Sequence, residues 1–160
     1  MKNKRQDGFS LIELLIVTAI IGIISAIAIP NLMASRRAAN EGSAQSSLRT
    51  IHSAQTVYQA TAGAGSYAPD LGTLQTQRLV DDVLGSELKS GYEFEIIDVS
   101  GSGPTAQFGV YAFPEITGGV TQSGSRYFGT TENGVMYVDT DLSAYPTTVA
   151  DIRGLDLLGN

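Results

Sequence analysis

From Phe9 to Ile29 the chain reads FSLIELLIVTAIIGIISAIAI, an apolar run that carries one carboxylate, Glu13. At ~1.5 Å per residue a helix of this length spans roughly 30 Å, the thickness of a bilayer's hydrocarbon core. The pattern then changes from uniformly apolar to periodic. From Asn31 to about Ala62 there is one continuous stretch without proline, in which Ala44, Leu48, Ile51, Ala54 or Gln55, and Tyr58 return at intervals of three and four. That spacing predicts an amphipathic helix. Arg36, Arg37, Asn40, Glu41, Gln45 and Arg49 fall on its polar face and are predicted to meet solvent or neighbouring subunits. The two halves together predict one helix of about fifty residues, roughly 75 Å long and interrupted near Pro30. A domain of about a hundred residues cannot cover the first half, which must project into lipid or into other copies of the chain.

Gly63-Ala64-Gly65 ends the helical pattern. Residues 67–71 turn into a short helical segment, and Leu79, Val80, Val83 and Leu84 predict a further turn or two before Gly85. Four strands are predicted at 92–99, 107–113, 126–131 and 135–140, with Glu132-Asn133-Gly134 as the hairpin before the last. Tyr92, Phe94 and Ile96 alternate with Glu93 and Glu95, so aromatics fall on one sheet face and carboxylates on the other. Val110, Phe128, Val135 and Tyr137 are predicted to extend the apolar face, which packs on Leu48, Ile51 and Tyr58. The expected fold is α+β: a long N-terminal helix, membrane half plus amphipathic half, packed on a four-stranded antiparallel sheet. The tail at 142–160 holds Tyr145, Pro146, Val149, Ile152, Leu155, Leu157 and Leu158, too apolar to be free. It is predicted to cover the sheet or a neighbouring subunit. The loop at 117–125, rich in Thr and Ser, is predicted to face solvent.

The leader, MKNKRQDG, sets Lys2, Lys4 and Arg5 before the apolar run and favours an N-terminus kept in the cytoplasm, although Arg36 and Arg37 on the far side dilute the bias. A secretory signal has its small residues after the apolar stretch. Here Gly8 stands before it, so a cut after Gly8 removes the charged leader and keeps the helix. An ionised carboxylate inside a spanning helix costs on the order of 2.5–3.5 kcal/mol on insertion scales. A cut at Gly8 gives Phe9 a new α-ammonium about one turn from Glu13, where the positive end of the helix dipole also lies. Within one subunit the two groups cap the helix start. Between subunits, Glu13 of one helix and the Phe9 amine of another set axial register, and association lowers the cost of Glu13.

Gly8-Phe9-Ser10-Leu11-Ile12-Glu13-Leu14 resembles the cleavage and methylation motif of type IV prepilins and type II secretion pseudopilins. The resemblance implies that a prepilin peptidase cuts after Gly8 and methylates Phe9, and that Glu13 is the assembly glutamate. It also implies that Gly22 and Pro30 loosen the membrane half of the helix. It covers roughly residues 8–58 and beyond them extends to architecture alone, the pilin lollipop. The implied organisation is a leader at 1–8, a transmembrane and filament-core helix at 9–30, an amphipathic half at 31–62 and a globular head at 63–160. The implied partners are identical subunits in a helical filament, the peptidase and methylase, an inner-membrane assembly platform, minor pilins, and the bilayer before assembly. The precursor would sit in the bacterial inner membrane with its C-terminal domain outside the cytoplasm, and the mature form in an extracellular pilus, or in the periplasm if a pseudopilin.

Composition narrows the function. The 160 residues hold no Cys, no Trp and one His, with a formal charge of −6 that becomes −8 once Lys2, Lys4, Arg5 and Asp7 leave with the leader. An acidic domain does not bind nucleic acid by bulk charge. No disulfide closes the fold, although many pilins of the family have one near the C-terminus. No Cys nucleophile and no Gly-rich phosphate loop occur, and His52 is read as a polar-face or boundary residue of the helix, so no enzymatic activity is expected. Asp81-Asp82 and Glu93 with Glu95 read as solvated faces. Asp139, Asp141, Asp151 and Asp156 are candidate calcium ligands, since calcium favours hard oxygen donors and the resemblance to major pseudopilins implies such an ion; the competing reading is a plain acidic loop without a cofactor. The expected function is a structural subunit of a type IV pilus serving adhesion, motility or DNA uptake. The alternatives are the major pseudopilin of a type II secretion system and an uncut, membrane-anchored binding domain. Glu13 argues against the last, because a permanent monomer offers it no partner.

Overall fold

A computed structural model describes residues 9–159, which form two compact units that divide between Ser35 and Arg36. Helix α1, Leu11–Ala60, contributes to both. The expected interruption at Pro30 does not occur. Proline withdraws one backbone donor from the ladder, but Asn31 Nδ2 donates to the carbonyl of Ile27 at 3.2 Å and adds a donor beside the gap.

In the second unit the three-and-four spacing has its predicted outcome: Ala44, Leu48, Ile51, Ala54 and Gln55 are buried, and Tyr58 packs at their margin. Gln55 is polar yet fully buried because its amide is satisfied twice by one residue. Its Nε2 donates to Ala68 O at 2.9 Å and its Oε1 accepts from Ala68 N at 2.8 Å, which fixes the path of the chain as it leaves α1. Helix α2, Leu71–Thr76, starts at Asp70, whose carboxylate accepts from Thr73 N. Helix α3, Asp82–Gly85, starts at Asp81, which accepts from Leu84 N and pairs with Lys89 at 3.6 Å. Asp81 is therefore an N-cap rather than only part of a solvated face.

The sheet is antiparallel, in chain order, and has six strands: β1 Leu88–Lys89, β2 Tyr92–Ser100, β3 Gln107–Pro114, β4 Tyr127–Thr131, β5 Met136–Asp139 and β6 Asp156–Leu157. The four predicted strands are β2 to β5. Strands β1 and β6 have two residues each, too few to carry an alternation, so the expected four-stranded sheet gains an edge on each side. Tyr92, Phe94 and Ile96 of β2, Phe108, Val110 and Ala112 of β3, and Phe128 of β4 meet Leu48 and Ile51 in the main core. Val135 and Tyr137 depart from the expectation. Thr130 pairs with Met136, so Val135 belongs to the turn and is 39% exposed. Met136 and Val138 then pack towards the main core, and Tyr137, between them, points to the opposite face.

That opposite face is not simply solvated. Tyr111, Phe113 and Tyr127 form a second cluster beneath the tail, with Ile97, Leu142 and Leu155 packed against it. The tail thus covers the sheet of its own chain. Helix α4, Val149–Arg153, is held by a capping box in which Asp151 N donates to Thr148 Oγ1 and Thr148 N donates to Asp151 Oδ2. Its Ile152 is fully buried over Gly109 and Gly129, and a Cβ at either glycine would come within 2.8 Å of the isoleucine. The two glycines therefore make the slot that Ile152 fills. Ile152→Val, which removes one methyl from this slot, is expected to cost about 0.5–1.5 kcal/mol, read as a lower Tm of the full chain in detergent. An unchanged Tm would place the tail's anchorage elsewhere.

Candidate assembly site

The first half of α1 buries almost nothing against its own chain. Every Leu, Ile and Val from Leu11 to Leu32 is exposed, and the segment is long and apolar enough to cross a membrane. A continuous apolar surface of this extent marks a contact with lipid or protein. Its one carboxylate lies at the helix start. Ser10 precedes the first helical residue, and its N–H donates to Glu13 Oε2 at 2.9 Å, so Glu13 satisfies one of the amides that a helix start leaves without a partner. The side chain also sits at the positive end of the helix dipole. Phe9 is 91% exposed. Gly8 and the rest of the leader lie outside the described residues. At Gly22 a Cβ would meet nothing within 4 Å, so the missing side chain makes no room for any part of this chain. Pro30 lies within α1.

The second half of α1 corrects the predicted polar face. Glu41 is 6% exposed: its Oε1 accepts from Ser125 N and Oγ at 2.9 and 2.8 Å, and its Oε2 from Arg126 Nε and Nη2 at 3.0 and 2.6 Å. Burial on its own raises this carboxyl, but the Ser125 amide, the Arg126 guanidinium and the Ser125 hydroxyl outweigh it and hold Glu41 below the ordinary glutamate range. Beside it, Asn40 Nδ2 donates to Ser123 O at 2.9 Å and Arg37 Nη1 to Gln122 Oε1 at 3.3 Å. The loop predicted to face solvent does so at 117–121, whereas Ser123 and Gly124 are buried. Tyr92 OH donates to Arg126 O at 2.7 Å, and burial with the nearby Glu41 charge pushes its phenol upwards. The partners lie more than eighty positions apart, so no local pattern announces this clasp.

Of the four candidate calcium ligands, the carboxylates of Asp139, Asp141 and Asp151 are engaged locally, and Asp156 pairs through its backbone. Asp139 accepts from the amides of Thr140 and Asp141, and Asp141 from Ser143 N. Asp151 closes the α4 capping box, and Asp156 pairs with Val138 in the sheet. Hydrogen bonds from Ser143 lower the Asp141 carboxyl, and those from Thr147 and Thr148 lower Asp151. Among the described residues no three of His, Cys, Asp and Glu converge as a metal site. His52 is half-buried, with Nε2 3.3 Å from Glu132 O and its ring 6.0 Å from that of Phe108. It is the boundary residue the sequence suggests.

The start of the chain is similar to known proteins. The prokaryotic N-terminal methylation motif matches residues 3–29. Over 53 residues the chain is 47% identical to the type IV major pilin protein PilA of Myxococcus xanthus, covering 33% of this chain and 24% of that one. Over 59 residues it is 48% identical to the type IV wide pilus major component PilA4 of Thermus thermophilus, covering 37% and 44%. Over 59 residues it is 34% identical to the type II secretion system core protein G of Aeromonas hydrophila, covering 37% and 41%. The chain thus spans less than half the length of these relatives. No solved structure matches.

Proposed function

We propose that the chain is the structural subunit of a type IV pilus, cut between Gly8 and Phe9, methylated on the Phe9 amine and polymerised through α1 into a filament that serves adhesion, motility or DNA uptake. The observation that carries this reading is the pairing of an exposed apolar first half of α1 with a single carboxylate at its start. The precursor waits in the inner membrane with its C-terminal part outside the cytoplasm, the peptidase removes residues 1–8, and an assembly platform transfers the subunit from lipid to the filament. In the filament, Glu13 meets the Phe9 amine of a neighbour and sets register, while Gly22 and Pro30 loosen the helix between them. The long helix packed on an antiparallel sheet supports the pilin fold for the whole chain. Intact-mass analysis of filaments sheared from cells, with N-terminal sequencing, is expected to give a subunit that starts at Phe9 and carries one methyl group. A protein that stays cell-bound and starts at Met1 would replace this reading with the anchored binding domain.

The similarity to a type II secretion core protein G supports a second reading, a periplasmic pseudopilus subunit. Recovery of the processed chain only from short periplasmic fibres, never from the cell surface, would favour it.

A further inference from the structure

A groove of about 510 Å³ opens between β2 and the tail, on the sheet face away from α1, with Glu93 and Glu95 on one side, Tyr111 between, and Tyr145 and Pro146 on the other. The register puts Glu95 opposite Tyr111, whose phenol donates to the Glu95 carboxylate. Burial, this bond and the charges of Glu95 and Glu93 push the Tyr111 phenol upwards, and the two carboxylates in its lining make the groove electronegative. Tyr145 stacks on Phe113 at 4.1 Å between centroids and remains 51% exposed. The described residues form three ion pairs, and none includes Glu93 or Glu95. Carboxylates beside an open aromatic face suit a guanidinium, which is planar, donates in a fork to carboxylates and stacks on tyrosine.

The chain itself supplies one. After α1 the sequence holds thirteen Asp and Glu but four basic residues, Arg78, Lys89, Arg126 and Arg153. Lys89 pairs with Asp81, Arg126 with Glu41 and Arg153 with Glu132. Arg78 is exposed and, among the described residues, has no acidic partner. Its backbone has a φ of 57°, the left-handed conformation that commonly follows a helix end.

We propose that the groove bounded by Glu93, Glu95 and Tyr145 receives Arg78 of a neighbouring copy of the chain. The proposal rests on the filament reading; Arg36, Arg37 and Arg49 belong to α1, which packs on the sheet face opposite the groove. Socket and arginine are different patches, and a contact between different patches is heterologous, the kind that builds open helical arrays. It also brings opposite charges together between domains whose net charges repel.

The absence of cysteine gives a direct test. In a chain carrying both Arg78→Cys and Glu93→Cys, a short bismaleimide added to sheared filaments is expected to give a ladder of covalent multimers, while each single variant stays monomeric. Filaments that form normally and stay monomeric would overturn the contact. If the cysteine pair does not assemble, charge reversal decides. Arg78→Glu is expected to lower filament yield at least about tenfold, and adding Glu93→Arg with Glu95→Arg is expected to restore it. Unchanged yield for Arg78→Glu, or no restoration by the combined reversal, overturns the proposal. Intact mass separates the two levels: a cell-bound Arg78→Glu subunit that still starts at Phe9 leaves the filament reading standing, whereas failure of the unaltered chain to form filaments removes that reading itself.

Discussion

Glu13→Ala is expected to abolish sheared filaments while cleavage after Gly8 continues. The substitution removes the acceptor for Ser10 N–H and the anion for a neighbouring Phe9 amine. It also makes the monomer more comfortable in lipid, by less than the roughly 2.5–3.5 kcal/mol that a charge costs at a helix centre, because Glu13 lies in the first turn. Both effects favour the unassembled subunit. Filament yield and the intact mass of the cell-bound chain are the measurements. Glu13→Gln separates the two contributions, since it keeps a neutral acceptor for Ser10 but carries no charge. Normal fibres from Glu13→Ala would mean that register is set without the carboxylate.

Glu41→Ala is expected to destabilise the full chain in detergent by about 2–3 kcal/mol, read as a lower Tm. Removing one partner of a buried ion pair leaves the other without compensation. Here the Arg126 side chain keeps 41% exposure, so water recovers part of the loss, while Ser125 loses the acceptor for both its amide and its hydroxyl. The pH dependence follows from the lowered carboxyl. Its stabilising contribution is complete above the unfolded glutamate value of about 4.3 and is lost as pH falls through the lower folded value. The Tm of the unaltered chain should therefore fall on acidification below about pH 4, and Glu41→Gln should reduce that fall. An equal acid response in both would assign it to other carboxylates.

Both variants touch α1, yet the sequence exposes one and hides the other. The proposed assembly site is local in sequence: Gly8, Phe9 and Glu13 lie within six consecutive positions, and the apolar run after them needs no partner to be recognised. The four long strands and the buried face of α1 are equally local, because periods of two and of three to four repeat within each element. Other features depend on pairing between distant elements. Glu41 falls on the polar face of α1, and only the return of Ser125 and Arg126 makes that position interior. Glu93 and Glu95 alternate with aromatics as a solvated row would, and only Tyr111 across the ladder and Tyr145 from the tail turn the row into one wall of a groove. Tyr137 is displaced by a parity effect, since one residue more in the hairpin turn moves every following side chain to the other face. Among the acids near the C-terminus, Asp139, Asp141 and Asp151 accept hydrogen bonds in caps and turns that their composition does not announce.

The first half of α1 differs from ordinary docking helices in being apolar on every side rather than along a stripe. A stripe fixes which way a helix faces; a uniform coat does not, so rotation about the axis changes the contact energy little. Under the filament reading the segment would act as a plain bearing, free to turn and slide while it passes from lipid to a bed of like helices. Travel along the axis would then be limited by the single charge at its end, and azimuth would be left to the domain that follows.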